Sequence, residues 1–184
     1  PGVKVESALS TIIVEDPTHS VSTWEVDLTN TALLETNASL TTNTVYRQSD
    51  GVEFSDWFIG SSGSNFFLEG KGSASINITL VHPSPPDPGI YILPLVGIDV
   101  DNAITYPFDL TLEVLEIPDL VFNLDSQSIG VYPKQPTPLI IEVENQGNSA
   151  QGWNLFIQPP SGWQSGFDDL GSRPGAPSGS TGAI

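Results

Sequence analysis

The chain contains no cysteine. Disulfides and thiolate metal sites are therefore excluded outright. Basic residues are scarce: 5 Lys and Arg stand against 22 Asp and Glu, for a formal charge of −17. Phosphate recognition needs clustered Lys and Arg, so the balance opposes nucleic-acid binding. It disfavours attachment to anionic lipid for the same reason. An acidic surface stays soluble in a salty medium, where screening reduces self-repulsion, so a marine or halophilic prokaryotic source fits this balance. No apolar run approaches the ~20 residues that cross a bilayer, so no membrane insertion is expected. No signal peptide opens the chain, and Pro1 is not a natural start, which points to a fragment of something longer. Helix signals are nearly absent too. No segment places apolar residues at i, i+3, i+4 and i+7 across several turns.

What remains is β structure. The chain has 184 residues, 38% hydrophobic, with 4 Trp, 4 Tyr and 8 Phe. That is enough for a packed core in one domain or two small ones. Short runs of Val, Ile and Leu alternate with stretches of Ser, Thr, Gly, Pro and Asn, the pattern of many short strands joined by turns. Strands are expected at 3–6, 11–14, 22–29, 38–46, 54–59, 74–81, 90–98 and 106–115. In "SINITLV", Ile76, Ile78 and Leu80 share one face. In "FDLTLEVLE", Phe108, Leu110, Leu112 and Val114 oppose Asp109, Thr111 and Glu113. A period of two over this length is hard to obtain from a helix. "SDG" at 49–51 and "DVDNA" at 99–103 suit hairpin turns. "HPSPPDPG" at 82–89 reads as an extended crossover.

At "EIPD", residues 116–119, the plan restarts. The expected domains are 1–116 and 117–184. "SIGVYPKQPTPLIIEVENQGN" echoes "TIIVEDPTHSVSTWEVDLTNTA". In each, a short apolar strand meets a proline (Pro17, Pro133), and a polar link leads to an alternating strand that ends in Asn30 or Asn145. Trp24, Val26 and Leu28 are expected to face one core, and Leu139, Ile141 and Val143 the other. The asparagines suit an Asx-turn or a left-handed exit from the sheet. "GWNLFIQPPSGW" adds a strand at 153–158 and a Pro-Pro turn. The tail, "GSRPGAPSGSTGAI", has little to bury. The second copy lacks counterparts of the strands at 74–81, 90–98 and 106–115. Truncation, a partial domain and completion by another chain all fit such an exposed edge. The fold class is all-β: Ig-like β-sandwich domains in tandem, the second incomplete.

"VENQGNSAQGWNLFIQPPSGW" resembles the extracellular immunoglobulin-like modules called CARDB. It is also similar to the NPCBM-associated domain appended to bacterial glycosidases. Those modules carry a strand ending in N-x-G-N, then a strand, then a P-x-G-W turn. In the first copy, "GSASINITLVHPSPPDPGIYILPLVGID" resembles the closing half of the same group, with Pro88, Gly89 and Tyr91 as its P-G-x-Y. The first copy departs at "NTALLETNASL", which lacks N-x-G-N, and its loop to Trp57 is longer. The resemblance implies an Ig-like sandwich on a cell surface or in a secreted multidomain protein. It implies no catalytic residues and no cofactor.

Chemistry-bearing residues each have a plainer reading beside the functional one. Nucleophilic catalysis needs a base beside the nucleophile. His19 in "DPTHS" and His82 in "VHPSP" read as exposed loop residues instead. Carboxylate pairs could serve glycoside hydrolysis. Glu25, Asp27, Asp109, Glu113, Glu142 and Glu144 read rather as an outward, solubilising face. For calcium, "DVDN" gathers Asp99, Asp101 and Asn102 in one tight loop, without the Gly and Glu of an EF-hand; Asp168 and Asp169 are a weaker pair. An ordinary hairpin turn explains the same letters. Trp57, Phe58, Trp153 and Trp163 could stack on carbohydrate, with Trp57 and Trp163 foremost, although buried tryptophan is common in sandwich cores. Asn37 ("NAS") and Asn77 ("NIT") are glycosylation sequons, and Asn77 should point outward.

The expected function is a non-enzymatic structural or adhesive module of a prokaryotic cell-surface or secreted protein. Its partners would be other domains of the same or neighbouring surface proteins. The alternatives are an accessory module of a secreted hydrolase that binds carbohydrate, and a strand-exchanging subunit of an extracellular fibre.

Overall fold

The computed structural model describes residues 2–16, 18–84, 86–124, 130–132, 134, 135, 137–156, 158–162 and 164, and the backbone of 172–176 and 181–183. The chain divides into two compact units, Pro1–Leu115 and Glu116–Ile184. The described residues form strands, turns and loops and no helix.

The described residues of the first unit form eleven strands: β1 (Val3–Glu6), β2 (Thr11–Val14), β3 (Val21–Asn30), β4 (Thr36–Thr42), β5 (Val45–Arg47), β6 (Glu53–Phe54), β7 (Phe58–Ser61), β8 (Asn65–Leu68), β9 (Ser73–Val81), β10 (Gly89–Asp99) and β11 (Ile104–Val114). One sheet runs β1-β3-β9-β7. The other runs β2-β11-β10-β4-β8, with β5 on β10 beyond β4 and β6 on β5. In immunoglobulin lettering these are A-B-E-D and A′-G-F-C with an added edge strand. The first strand is split: β1 pairs antiparallel with β3, and β2 crosses to pair parallel with β11.

Alternation explains the layering. In β9, Ile76, Ile78 and Leu80 are buried and Ser75, Asn77 and Thr79 face outward. In β3, Trp24, Val26 and Leu28 are buried. Burying each such side chain contributes about 1.5–3 kcal/mol. An outward cross-strand pair contributes about 0.2–1 kcal/mol. The core face therefore sets the register, and a slip of one residue would turn every apolar group to water. Gly97 of β10 permits a close approach between the sheets, because a Cβ there would stand 2.3 Å from a Val5 methyl.

The P-G-x-Y stretch has a physical role. Gly89 adopts φ +152°, a backbone that side-chain-bearing residues avoid. Two residues on, the buried Tyr91 donates its hydroxyl hydrogen to the Asp87 carbonyl at 2.8 Å. That bond at the start of β10 is the tyrosine corner of Ig-type sandwiches.

The second unit contains β12 (Leu120–Leu124), β13 (Ile141–Asn145), β14 (Gln151–Asn154), β15 (Ser172–Ala176) and β16 (Thr181–Ala183). One sheet runs β12-β13-β16, and β14 pairs with β15. The resemblance between the copies extends to single bonds. Asn30 donates its side-chain amide to the Leu34 carbonyl at 2.7 Å, and its oxygen accepts from the Ala32 N–H at 2.9 Å. Asn145 donates to the Ser149 carbonyl at 2.8 Å and accepts from the Gly147 N–H at 3.1 Å. Each asparagine is fully buried and pairs with the first residue of the preceding neighbour strand, Val3 or Leu120. The next residue closes the corner, Thr31 N–H to Gly2 and Gln146 N–H to Asp119, both at 2.8 Å. Gly147 is required at its place: a Cβ would stand 2.2 Å from the Ile117 carbonyl oxygen.

Several expectations are corrected. The expected strand 38–46 is interrupted at Asn43 and Thr44, giving β4 and β5. The expected strand 54–59 is broken by a turn at Ser55–Asp56 and contributes to different sheets as β6 and β7. β8 and β12 lie where no strand is expected. The tail forms β15 and β16, and β16 occupies beside β13 the place that β9 holds beside β3. Val143 is buried, but Ile141 is half-buried and Leu139 is 39% exposed, because β13 begins only at Ile141 and Leu139 precedes the paired segment. The strand expected at 153–158 is Gln151–Asn154, and Phe156 is 92% exposed. Pro17, Pro133, Trp163, Asp168 and Asp169 lie outside the described residues.

Candidate functional site

A group of chemistry-bearing side chains lies at one end of the first sandwich, where β3 begins and β9 ends. The His82 N–H donates to the Ser20 carbonyl at 2.9 Å, which holds the end of β9 against the strand entering β3. The His19 N–H donates to the Asp16 carbonyl at 3.0 Å, turning its loop inward. The two imidazoles stand 5.5 Å apart between centroids. Between them lies the Ser22 hydroxyl, 3.0 Å from His19 Nε2 and 3.4 Å from His82 Nε2. His82 Nδ1 faces the Pro83 carbonyl at 3.0 Å. A carbonyl only accepts, so Nδ1 carries the hydrogen and the neutral ring presents a lone pair at Nε2.

Beneath His82 lies an aromatic stack. Trp57 sits 5.5 Å from the His82 ring, and 4.9 Å from both Phe54 and Tyr91. Arg47 covers Phe54 at 5.9 Å and forms an ion pair with Asp50 at 2.6 Å. Burial lowers the His82 pKa from its ordinary value; the Pro83 carbonyl acts in the opposite direction, and the charge of His19 lowers it further. Burial raises the Tyr91 hydroxyl. A serine between two imidazoles has the atoms of a nucleophile and its base. Ser22 is 1% exposed, so its hydroxyl meets the histidines and no solvent.

His82 is thus buried at 5% exposure, which corrects the expectation of an exposed loop residue. It directly follows β9 and is drawn inward by Ser20 and Trp57. His19 is half-buried. The Ser22–His82 contact spans 60 positions. No spacing rule in a single sequence reports a contact between residues that far apart, so this grouping was not legible.

The calcium candidates do converge. Asp99 ends β10 and is 1% exposed. Its carboxylate accepts from the Thr36 hydroxyl at 2.8 Å and from the Asn102 backbone N–H at 3.2 Å. The Asn102 side-chain amide adds bonds of 3.0 and 3.1 Å. Asp101 accepts from the Asn37 N–H at 2.7 Å, and that bond chiefly lowers its pKa. Asn102 turns its NH2 group toward Asp99, an orientation that satisfies a carboxylate with hydrogens. Among the described residues no three His, Cys, Asp or Glu form a metal-sized group.

Of the sugar candidates, Trp57 is 7% exposed and buries its ring in the core, which leaves no face for a sugar. Trp153 is buried as well. Phe58 is 66% exposed on β7, with its ring 3.3 Å from where a Gly60 Cβ would stand. Both sequon asparagines are exposed. The Asn77 backbone N–H donates to Ser62. The Asn37 side-chain amide is engaged with Asp101 at 3.2 Å.

No protein-family model matches the chain, and no curated protein matches it. Among solved structures, it is similar to a family 123 glycoside hydrolase from Clostridium perfringens, with 15% identity and a TM-score of 0.46. That match covers 62% of this chain and 27% of the hydrolase, so the chain spans about a quarter of that protein's length. The PapD-like domain 7 of human CEP192 is similar at 17% identity and a TM-score of 0.43, covering 62% of this chain and 85% of that one. The Acinetobacter baumannii CsuC–CsuE chaperone–tip adhesion subunit complex matches at 12% identity and a TM-score of 0.41, covering 100% of this chain and 87% of that one.

Proposed function

We propose that the chain is a non-enzymatic structural module, tandem Ig-like domains of the CARDB or NPCBM-associated type. It would act as a tension-bearing spacer and docking surface in a prokaryotic cell-surface or secreted protein, among other domains of that protein or its neighbours. One observation carries this reading. β2 pairs parallel with β11, from Thr11–Thr111 to Val14–Val114, and β11 runs directly into Leu115 and the next unit. A pull on the chain before β2 and after β11 acts along the strands. The ladder bonds, closed by Thr111 N–H to Ser10 at 2.8 Å and Leu115 N–H to Val14 at 3.1 Å, are then loaded together in shear. A sandwich built this way resists tension without any ligand.

Single-molecule pulling on the wild-type chain and Ile12→Pro tests it. Proline removes a ladder donor from the four-residue β2. The first unit should unfold in one sharp event in the wild type and at clearly lower force in the variant. Equal forces would refute the tension-bearing role.

A second reading, a carbohydrate-binding accessory module of a secreted hydrolase, has Phe58 in its favour. Phe58 and Gly60 of β7 pair with Val81 and Thr79 of β9 on one outward face that also carries Asn77. A glycan array with Phe58→Ala separates the readings, since sugar binding lost with the fold intact supports the accessory module.

A further inference from the structure

The chain has two histidines, and both turn Nε2 toward the same hydroxyl. They come from different segments, the loop before β3 and the residue after β9. Each is pinned by its own backbone N–H, to Asp16 and Ser20 respectively. We propose that His19, His82 and Ser22 form a site for one imidazole-seeking divalent cation, Cu2+ or, more weakly, Ni2+ or Zn2+, which takes the place of the proton shared through the hydroxyl.

Geometry supports the site. Two donors each about 2.1 Å from one ion stand about 3.0 Å apart at a right angle and about 3.4 Å apart at the tetrahedral angle. The Nε2–Oγ separations are 3.0 and 3.4 Å. Metal-bound histidines commonly donate their other ring N–H to a carbonyl, which fixes the tautomer and directs the lone pair at the ion. His82 does this through Nδ1 and Pro83. Solvent completes the coordination on the half-buried His19 side. Asp16, whose carbonyl accepts the His19 N–H, adds a negative charge to the same loop. Imidazole suits Cu2+, Ni2+ and Zn2+, and Cu2+ leads in affinity.

A hydrogen-bond chain, His19 Nε2–H to Ser22 and Ser22 O–H to His82, explains the same distances without an ion. Titrating the full chain with CuCl2, by calorimetry and by electron paramagnetic resonance, separates the two. The site predicts saturation at one ion per chain and hyperfine coupling to two imidazole nitrogens. His19→Ala and His82→Gln should each weaken binding by at least about tenfold. His19 is half-buried, so His19→Ala keeps the test decisive should His82→Gln fail to fold. A titration unchanged in His19→Ala, or a spectrum with oxygen ligands alone, overturns the proposal and reduces the effect to adventitious binding at the acidic surface.

Discussion

Asn30 and Asn145 show how one residue can fix a corner. The Asn30 amide reaches Leu34 at 2.7 Å, Glu69 at 3.1 Å and Leu68 at 3.4 Å, tying together two loops that share no sequence neighbourhood. Alanine there strands a backbone N–H and several carbonyls, so Asn30→Ala should destabilise the first unit by about 3 kcal/mol in urea unfolding. Asn145→Ala should act in the same direction on the second unit. His82 gives a prediction of a different kind. Its folded pKa lies below the unfolded value of 6.5, so the unfolded chain binds the proton more readily. Its contribution is therefore complete above pH about 6.5 and declines as pH falls below that value. Tm should be lower at pH 5.5 than at pH 7.5, and His82→Phe should flatten the difference. Asp16, Asp50 and Asp101, held low chiefly by hydrogen bonds, lose their contributions only at more acid pH, which keeps the windows apart.

Elements were legible where burial is one-sided. The period of two in β3, β9 and β11 states which side chains enter the core, and β1 and β2 stand where the sequence places them. The hairpin turns at 49–51 and 99–103 were equally plain, since Gly51 takes φ +71° and Asp99 caps its own turn. What the sequence could not state is which sheet a short strand joins. β7 and β8 are four residues each, and from β6 to β10 each strand joins the opposite sheet from the one before it. Such choices are made by tertiary packing, which local propensity does not encode. The polar tail has little to bury, yet a strand can be recruited through backbone bonds, as β16 is on β13. Close approach between elements is likewise invisible in one sequence. Gly97→Ala places a methyl against Val5 and should cost about 2 kcal/mol with little change in circular dichroism. Gly147→Ala should be more severe for its own unit, because the obstructing atom is a backbone oxygen that cannot rotate away.

For the whole molecule, charge and repetition set the behaviour. Three ion pairs occur among the described residues, Lys4–Glu6, Arg47–Asp50 and Arg47–Asp87, so few attractions offset a charge of −17. Salt should then stabilise the fold. Raising ionic strength from about 0.01 M to about 1 M shortens the screening length from about 30 Å to about 3 Å. The first unit's Tm should rise by on the order of a few degrees, and a fall would mean that ion pairs outweigh repulsion. The deeper claim is that one plan, a strand pair closed by a buried asparagine and flanked by a third strand, is written twice. Side-chain amide exchange by 15N NMR tests it most directly. The Nδ2 protons of Asn30 and Asn145 should both exchange far more slowly than those of exposed asparagines such as Asn77. Slow exchange at Asn30 with free exchange at Asn145 would contradict the account.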